Sequence, residues 1–222
     1  MEDKAEVMSA VQAGDATKVH ELLAGNPSLA AARDAAGVSA LMHAIYRRHQ
    51  EIADLLVASH PSLDVFESTS TGKVETLKKL LETDPSLAKS YSADGFTALH
   101  FAAFLSQPAA ASLLLSYGAV VTAVANNPSQ VMPLHSAAAG RSAEVVAILL
   151  EHGAPVNALQ QHGWTPLHSA AQSNDQKTAR LLMQHGADPN AANEGGVSPL
   201  QLAREKGHNE IATLLSEIPH PN

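Results

Sequence analysis

Apolar residues in this chain fall into two alternating kinds of block. The first kind is thin and rich in alanine: Thr97-Ala-Leu-His-Phe-Ala-Ala, Pro133-Leu-His-Ser-Ala-Ala-Ala and Thr165-Pro-Leu-His-Ser-Ala-Ala, with Ser198-Pro-Leu-Gln-Leu-Ala in the same register. The second kind is a leucine cluster, at Leu113-Leu-Leu, Leu149-Leu, Leu181-Leu and Leu214-Leu. Leu99, Leu134, Leu167 and Leu200 are 35, 33 and 33 residues apart. A fixed period of this size decides the architecture before any single residue does.

Each block predicts one helix of a pair. Thr97, Thr165 and Ser198 stand where a helix begins, and each hydroxyl can cap a free N–H. Pro166 and Pro199 follow at the first helical position, where a missing N–H costs nothing. The alanine pairs Ala102-Ala103, Ala137-Ala138 and Ala170-Ala171 keep the first helix thin, so neighbouring units approach closely. The leucine clusters place a second helix against its predecessor. Gly118, Gly153 and Gly186 end that helix in a left-handed cap, and Asp94-Gly95 and His162-Gly163 are turn signals.

A longer period overlies the short one. Gly14, Leu22-Leu, Asn26-Pro-Ser-Leu and Gly37 recur as Gly72, Leu80-Leu, Asp84-Pro-Ser-Leu and Gly95, offset by 58. The first two units therefore look like a copy of the third and fourth. The join at His60-Pro-Ser-Leu-Asp64 lacks about nine residues of the usual period.

These residues resemble the ankyrin repeat, whose pattern reads Gly-x-Thr-Pro-Leu-His-x-Ala-Ala, then Gly-His-x-Glu-Ile-Val, Leu-Leu and Gly-Ala-Asp. The last four units carry it clearly. Unit two matches through Gly37-Val-Ser-Ala-Leu-Met-His-Ala and His49-Gln-Glu-Ile-Ala-Asp-Leu-Leu, while units one (Val7 to Leu23) and three (Val65 to Leu81) keep only the second half. The resemblance implies an all-α fold, a curved α-solenoid of stacked helix-turn-helix units with short β-hairpin fingers. It implies one domain over 1–222, with repeats near 1–34, 35–64, 65–92, 93–125, 126–160, 161–193 and 194–222. Each unit alone buries too little, and stacking buries a continuous core.

Three departures carry expectations. Met132 stands where the capping Thr should be, a loss of about 0.5–2 kcal/mol. The finger Asn126-Asn-Pro-Ser-Gln130 is two residues longer than those that follow. In unit three the alanine pair has become Ser68-Thr69, and such hydroxyls compete for backbone bonds. That helix is expected among the least protected interior elements.

Composition narrows the functional classes. The chain is 45% hydrophobic, 4% aromatic and 16% charged, with no cysteine and a net charge of −8. Disulfides and thiolate zinc sites are excluded, and the balance leaves no electrostatic footprint for nucleic acid. No apolar run approaches the ~18 residues of a spanning helix. Met1 to Val7 lacks the order of a signal peptide. A soluble cytoplasmic protein is expected, with no cofactor and no membrane partner.

Apparent chemical motifs dissolve into the repeat. His100, His135 and His168 occupy one repeat position; helices ~8–10 Å apart cannot bring them within ~2 Å of one zinc. The family implies that each imidazole bonds a neighbouring finger. His152 and His185 are a second such pair, read as solvated cap residues. Thr71-Gly-Lys-Val lacks the first glycine and final hydroxyl of a phosphate loop, with Glu67 and Val74 in those places. No Gly-x-Ser-x-Gly elbow is present. No catalytic or metal residue is assigned.

Two features point to a surface. After Asp94 no charged residue occurs until Arg141, a run of 46 in a chain where about one residue in six is charged. The run is either a central unit buried on both flanks or an interface. The aromatics are also placed unusually. In ankyrin repeats the residue after the finger glycine, and the two following the alanine pair, face the concave groove. Those positions here are Tyr46, Arg47, Phe96, Phe104, Leu105, Val131, Trp164 and Gln172, with Ser173 beside it. Tyr91 approaches the same finger as Phe96, and Gln160 and Gln161 extend a more polar end. Exposed aromatics commonly anchor interfaces, whereas packing between fingers is the competing reading, above all for Trp164. The expectation is a non-catalytic module holding a protein or peptide partner in its groove, with Phe104→Ala and Phe96→Asp each weakening capture at little cost in melting temperature. The alternatives are a homodimer or regulatory subunit that uses the uncharged 95–140 surface, and an enzyme, which no constellation supports.

Overall fold

The alanine and leucine blocks become short and long helices in alternation. In the computed structural model, which describes residues 2–60 and 62–217, the pairs run α1 (Glu2–Ala13) and α2 (Ala16–Gly25), α3 (Ala40–Tyr46) and α4 (Gln50–Ser59), α5 (Val65–Ser70) and α6 (Val74–Thr83), α7 (Ala98–Phe104) and α8 (Pro108–Ser116). They continue as α9 (Pro133–Ala139) and α10 (Ala143–Glu151), α11 (Pro166–Gln172) and α12 (Gln176–Gln184), α13 (Pro199–Glu205) and α14 (Asn209–Glu217). Pro61 of the join and the stretch 218–222 at the end of the last repeat lie outside the described residues, as does Met1.

First helices pack on first helices in one layer, and second helices form the other layer. Contact is close because the facing positions are small: Ala102, Ala103, Ala137, Ala138, Ala170 and Ala171 are all fully buried. Gly140 carries this furthest. A Cβ there would stand 2.1 Å from the Phe104 carbonyl oxygen, so even alanine does not fit. Leu99, Leu134, Leu167 and Leu114, Leu149, Leu182 bury completely between the layers, each contributing about 2 kcal/mol by transfer from water.

Helix starts differ in detail from the expected hydroxyl caps. Ser198 accepts from the Gln201 N–H at 3.2 Å, as Ser39 does from Met42. The Thr97 and Thr165 hydroxyls instead lie 2.8 Å from Nδ1 of His100 and His168. At Met132 that hydroxyl is missing, and His135 Nδ1 keeps only the Met132 N–H, at 3.2 Å. Gly118, Gly153 and Gly186 take the left-handed conformation expected of them, with φ of +83°, +82° and +87°.

The fingers correct another expectation. Among the described residues the β-hairpins reduce to single antiparallel bridges, Arg33 with Ser39 and Tyr91 with Thr97. Most of their backbone hydrogen bonds close within one finger, as from Ser92 N–H to the Phe96 carbonyl at 2.8 Å, and single bonds link neighbours, as from Asn126 N–H to the Gly95 carbonyl at 2.7 Å.

The 58-residue period is visible as structure. Matching 3₁₀ turns, Pro27–Ala31 and Pro85–Lys89, follow α2 and α6. The core divides where the copies meet: one cluster runs from Val7 to Leu56, the other from Val65 to Leu215. No finger stands over α5, so the flanking fingers close over the gap. A Cβ on Gly37 would lie 3.2 Å from that of Ala93. Below, α5 buries Glu67, Ser68, Thr69 and Ser70 in place of alanines.

Candidate functional site

Three rings meet on the buried side chain of Phe101. Tyr46, Phe66 and Phe96 place their centroids 6.3, 6.1 and 5.8 Å from it. Phe101 fills the variable position of the Leu-His-x-Ala-Ala block, where the next two units carry Ser136 and Ser169. One helical turn on, Phe104 ends α7 with 48% of its surface exposed. Sequence reasoning passed over Phe101; its spacing of three from Phe104 and five from Phe96 is the signal that marks it.

Tyr46, Phe96, Phe101 and Phe104, without Phe66, wall an open cavity of about 330 Å³. Tyr46, Phe96, Phe104, Val131 and Gln160 line it, with His100, His135, Ser129, Ser136, Ala139 and Ser169 completing the wall. No residue of the lining carries a formal charge at neutral pH. The lining histidines are held neutral: burial pushes both His100 and His135 down to about 4. Each has its Nε2 on a finger carbonyl, Val131 at 3.0 Å and Ala158 at 2.9 Å, and His168 repeats the bond with Val197 at 3.0 Å. Burial also lowers the pKa of His168. The family's role for this histidine thus holds in all three units. His152 and His185 bond carbonyls within their own helices.

The remaining expected residues are spread more widely. Phe96 is half-buried against Phe101 and His100, so replacing it disturbs the fold as well as the groove. Trp164 packs on His168 with centroids 5.3 Å apart and lies outside the cavity. Leu105 turns away into a separate cavity at the join. Arg47, Gln161 and Gln172 are exposed but do not line the pocket. Tyr91 is 45% exposed and donates its hydroxyl to the Val124 carbonyl at 3.0 Å. Tyr46 donates to the Asp94 carboxylate across the finger gap; burial first, then that bond, raises its pKa.

The repeating helix pair and the histidine on the next finger's carbonyl describe one family. Models of ankyrin repeats (3 copies) match residues 7–125, 122–193 and 159–222. The chain belongs to the ankyrin-repeat family. No curated protein matches it significantly. Ankyrin repeats are in general protein–protein interaction modules and typically non-catalytic. No helix among the described residues is long and apolar enough to cross a membrane.

Proposed function

We propose that this ankyrin array is a non-catalytic interaction module that grips an extended segment of a partner protein, seating one bulky apolar side chain between Tyr46, Phe96 and Phe104. The observation that carries this reading is the ring-walled cavity, uncharged yet open to solvent. A contiguous apolar patch on a protein surface costs free energy unless something covers it, and aromatic anchors in such pockets dominate interface energetics. Charge favours an acidic segment. Arg47 directly follows Tyr46, and Arg141 stands two residues beyond Ala139; both are exposed. Carboxylates flanking the apolar anchor would meet them, adding specificity and association rate more than affinity. Gln160, Gln161 and Gln172 offer hydrogen bonds towards the C-terminal end.

The test is selection from a displayed peptide library on the immobilised protein. Enrichment of a large apolar residue flanked by Asp or Glu is expected, with binding at least tenfold weaker to Phe104→Ala and an unchanged melting temperature. Peptides that bind Phe104→Ala equally well would overturn the reading.

A second reading rests on a different row. Tyr91, Val124 and Leu159 hold equivalent positions on successive fingers and are 45%, 43% and 62% exposed. A second copy of the chain covering this row makes a homodimer. Light scattering across dilution separates the two, and Leu159→Glu abolishes self-association if the row carries it.

A further inference from the structure

The join between the two copies opens a second cavity, of about 770 Å³, on the turn side of the array. It lies between α4, the turn from α5 into α6 and the turn from α7 into α8, where the core divides. Its volume suits a small organic ligand.

Two ten-residue helices begin at this cavity without a side-chain cap. His49 and Lys73 occupy the N-cap positions of α4 and α6 and accept nothing there. The equivalent Asp15 and Asp175 accept from Lys18 and Thr178 N–H groups at the starts of α2 and α12. The first-turn N–H donors of α4 and α6 therefore lack a side-chain acceptor at the cap, although Glu51 and Glu75 stand in those turns and offset part of each helix dipole. Helix starts of this kind are ready anion sites.

Side chains reinforce that field independently. Arg48 and Lys73 line the cavity and enter no ion pair among the described residues. Ser70, only 7% exposed, also lines it, and its buried hydroxyl has no hydrogen-bond partner. Asp54 is the one carboxylate in the lining, engaged by the Gln50 amide at 2.9 Å, and Glu51 and Glu75 in the first turns of α4 and α6 stand outside it. The rest of the wall is apolar, from Ile45, Ala53, Val57 and Leu105.

We infer that this cavity binds a small phosphate monoester, its phosphate between Arg48, Lys73 and the starts of α4 and α6, its organic part on the Ile45 and Val57 wall. Polyanions such as nucleic acid are disfavoured by the net charge of −8 and by a site holding two cations. The site is separate from the aromatic groove, so neither proposal depends on the other.

Isothermal titration with phenyl phosphate, inorganic phosphate and benzoate tests it. Phenyl phosphate binds one to one, at least tenfold tighter than inorganic phosphate because of the apolar wall. Lys73→Met with Arg48→Gln, both exposed changes, weakens it at least tenfold, while Asp54→Asn tightens it. Phe104→Ala leaves it unchanged, and amide chemical shifts of Ser70 and Thr71 move on titration. Absence of binding, binding undiminished in the double variant, or benzoate binding as tightly as phenyl phosphate would each overturn the proposal.

Discussion

Two joints of the same stack have opposite character. Between α7–α8 and α9–α10 everything closes: Gly95 has the Asn126 carbonyl oxygen 2.4 Å from where a Cβ would sit, and Gly140 is pressed on Phe104. Asn127 Nδ2 bonds the Asp94 carbonyl at 2.9 Å, and the turns meet through Ser142 and Ser106 hydroxyls at 2.9 Å. Between α3–α4 and α5–α6 the finger is missing, the second helices splay, and the core gives way to polar groups. There Glu67 stands in the register of His100, fully buried, with Arg33 and His60 at 3.7 and 3.8 Å from its two oxygens. Neither distance is a hydrogen bond. Where small residues let surfaces meet, the repeat is rigid and leaves its rings on the rim. Where a hydroxyl run replaced them, it leaves space.

The sharpest break of that contrast comes from the tight side. Leu134→Ala removes a fully buried side chain from a joint that cannot collapse, and a loss of about 2–5 kcal/mol is expected in urea melts. If the two cores differ as described, a variant in the 65–215 core leaves the 7–56 cluster folded over part of the transition, in line with nearest-neighbour behaviour of repeat arrays. A single coincident transition by several probes would show that the join transmits more than its packing suggests.

Acid should act mainly on the tight joint. His100 and His135 ordinarily titrate near 6.5 and are held at about 4 in the fold. Their folded pKa values are depressed, so the stability these neutral rings give is complete above about 6.5. It drains as pH falls towards 4, by something on the order of 3 kcal/mol per ring. Melting temperature is expected to be flat from pH 8 to 7 and to fall steadily from 6.5 to 4.5. His135→Gln flattens part of that limb, because Gln201 already fills this position in the last unit and accepts the Ser198 N–H at 2.9 Å. An equally steep limb in His135→Gln would place the acid sensitivity elsewhere.

The loose joint offers the reverse effect. Ser68 Oγ is buried without a partner, and such a group costs about 1–3 kcal/mol. Ser68→Ala should therefore raise stability by about 1 kcal/mol and slow amide exchange across α5, which in the wild type is expected to exchange faster than α11. The capping box that Asp64 and Glu67 form at the start of α5 works against fraying, with bonds of 2.8 and 3.0 Å. Exchange as slow in α5 as in α11 would mean the box outweighs the unpartnered hydroxyls.

Much of this was legible in the chain because the repeat averages over local error. The period, the helix pairing, the histidine row and the join all rest on several copies of one signal. What escaped rests on single residues. Phe101 was hidden because the same position holds serine in the next two units, so its register read as scaffold. Register places Leu105 in the groove, yet it lines the cavity at the join instead. Glu67 was noticed only as a failed motif, though its spacing of three from Asp64 is that of a capping box. The uncapped starts of α4 and α6 follow from having His49 and Lys73 where α2 and α12 have Asp15 and Asp175, a difference that means nothing until the two helix starts share one opening.

The smallest expected effect tests whether even the tight joint is complete. His135 is the one member of its row whose Nδ1 has no hydroxyl beside it, since Met132 replaces the threonine found at Thr97 and Thr165. A threonine there would orient the ring's tautomer, with Nδ1 accepting and Nε2–H donating to the Ala158 carbonyl. Met132 is half-buried, so some apolar burial is lost in exchange. The balance favours the hydroxyl: Met132→Thr should stabilise by about 0.5–1 kcal/mol, a gain present wherever the folded ring is neutral and lost only as pH falls through its folded pKa of about 4. No gain anywhere between pH 5 and 8 would mean that the thioether's packing, rather than the missing bond, sets the strength of this joint.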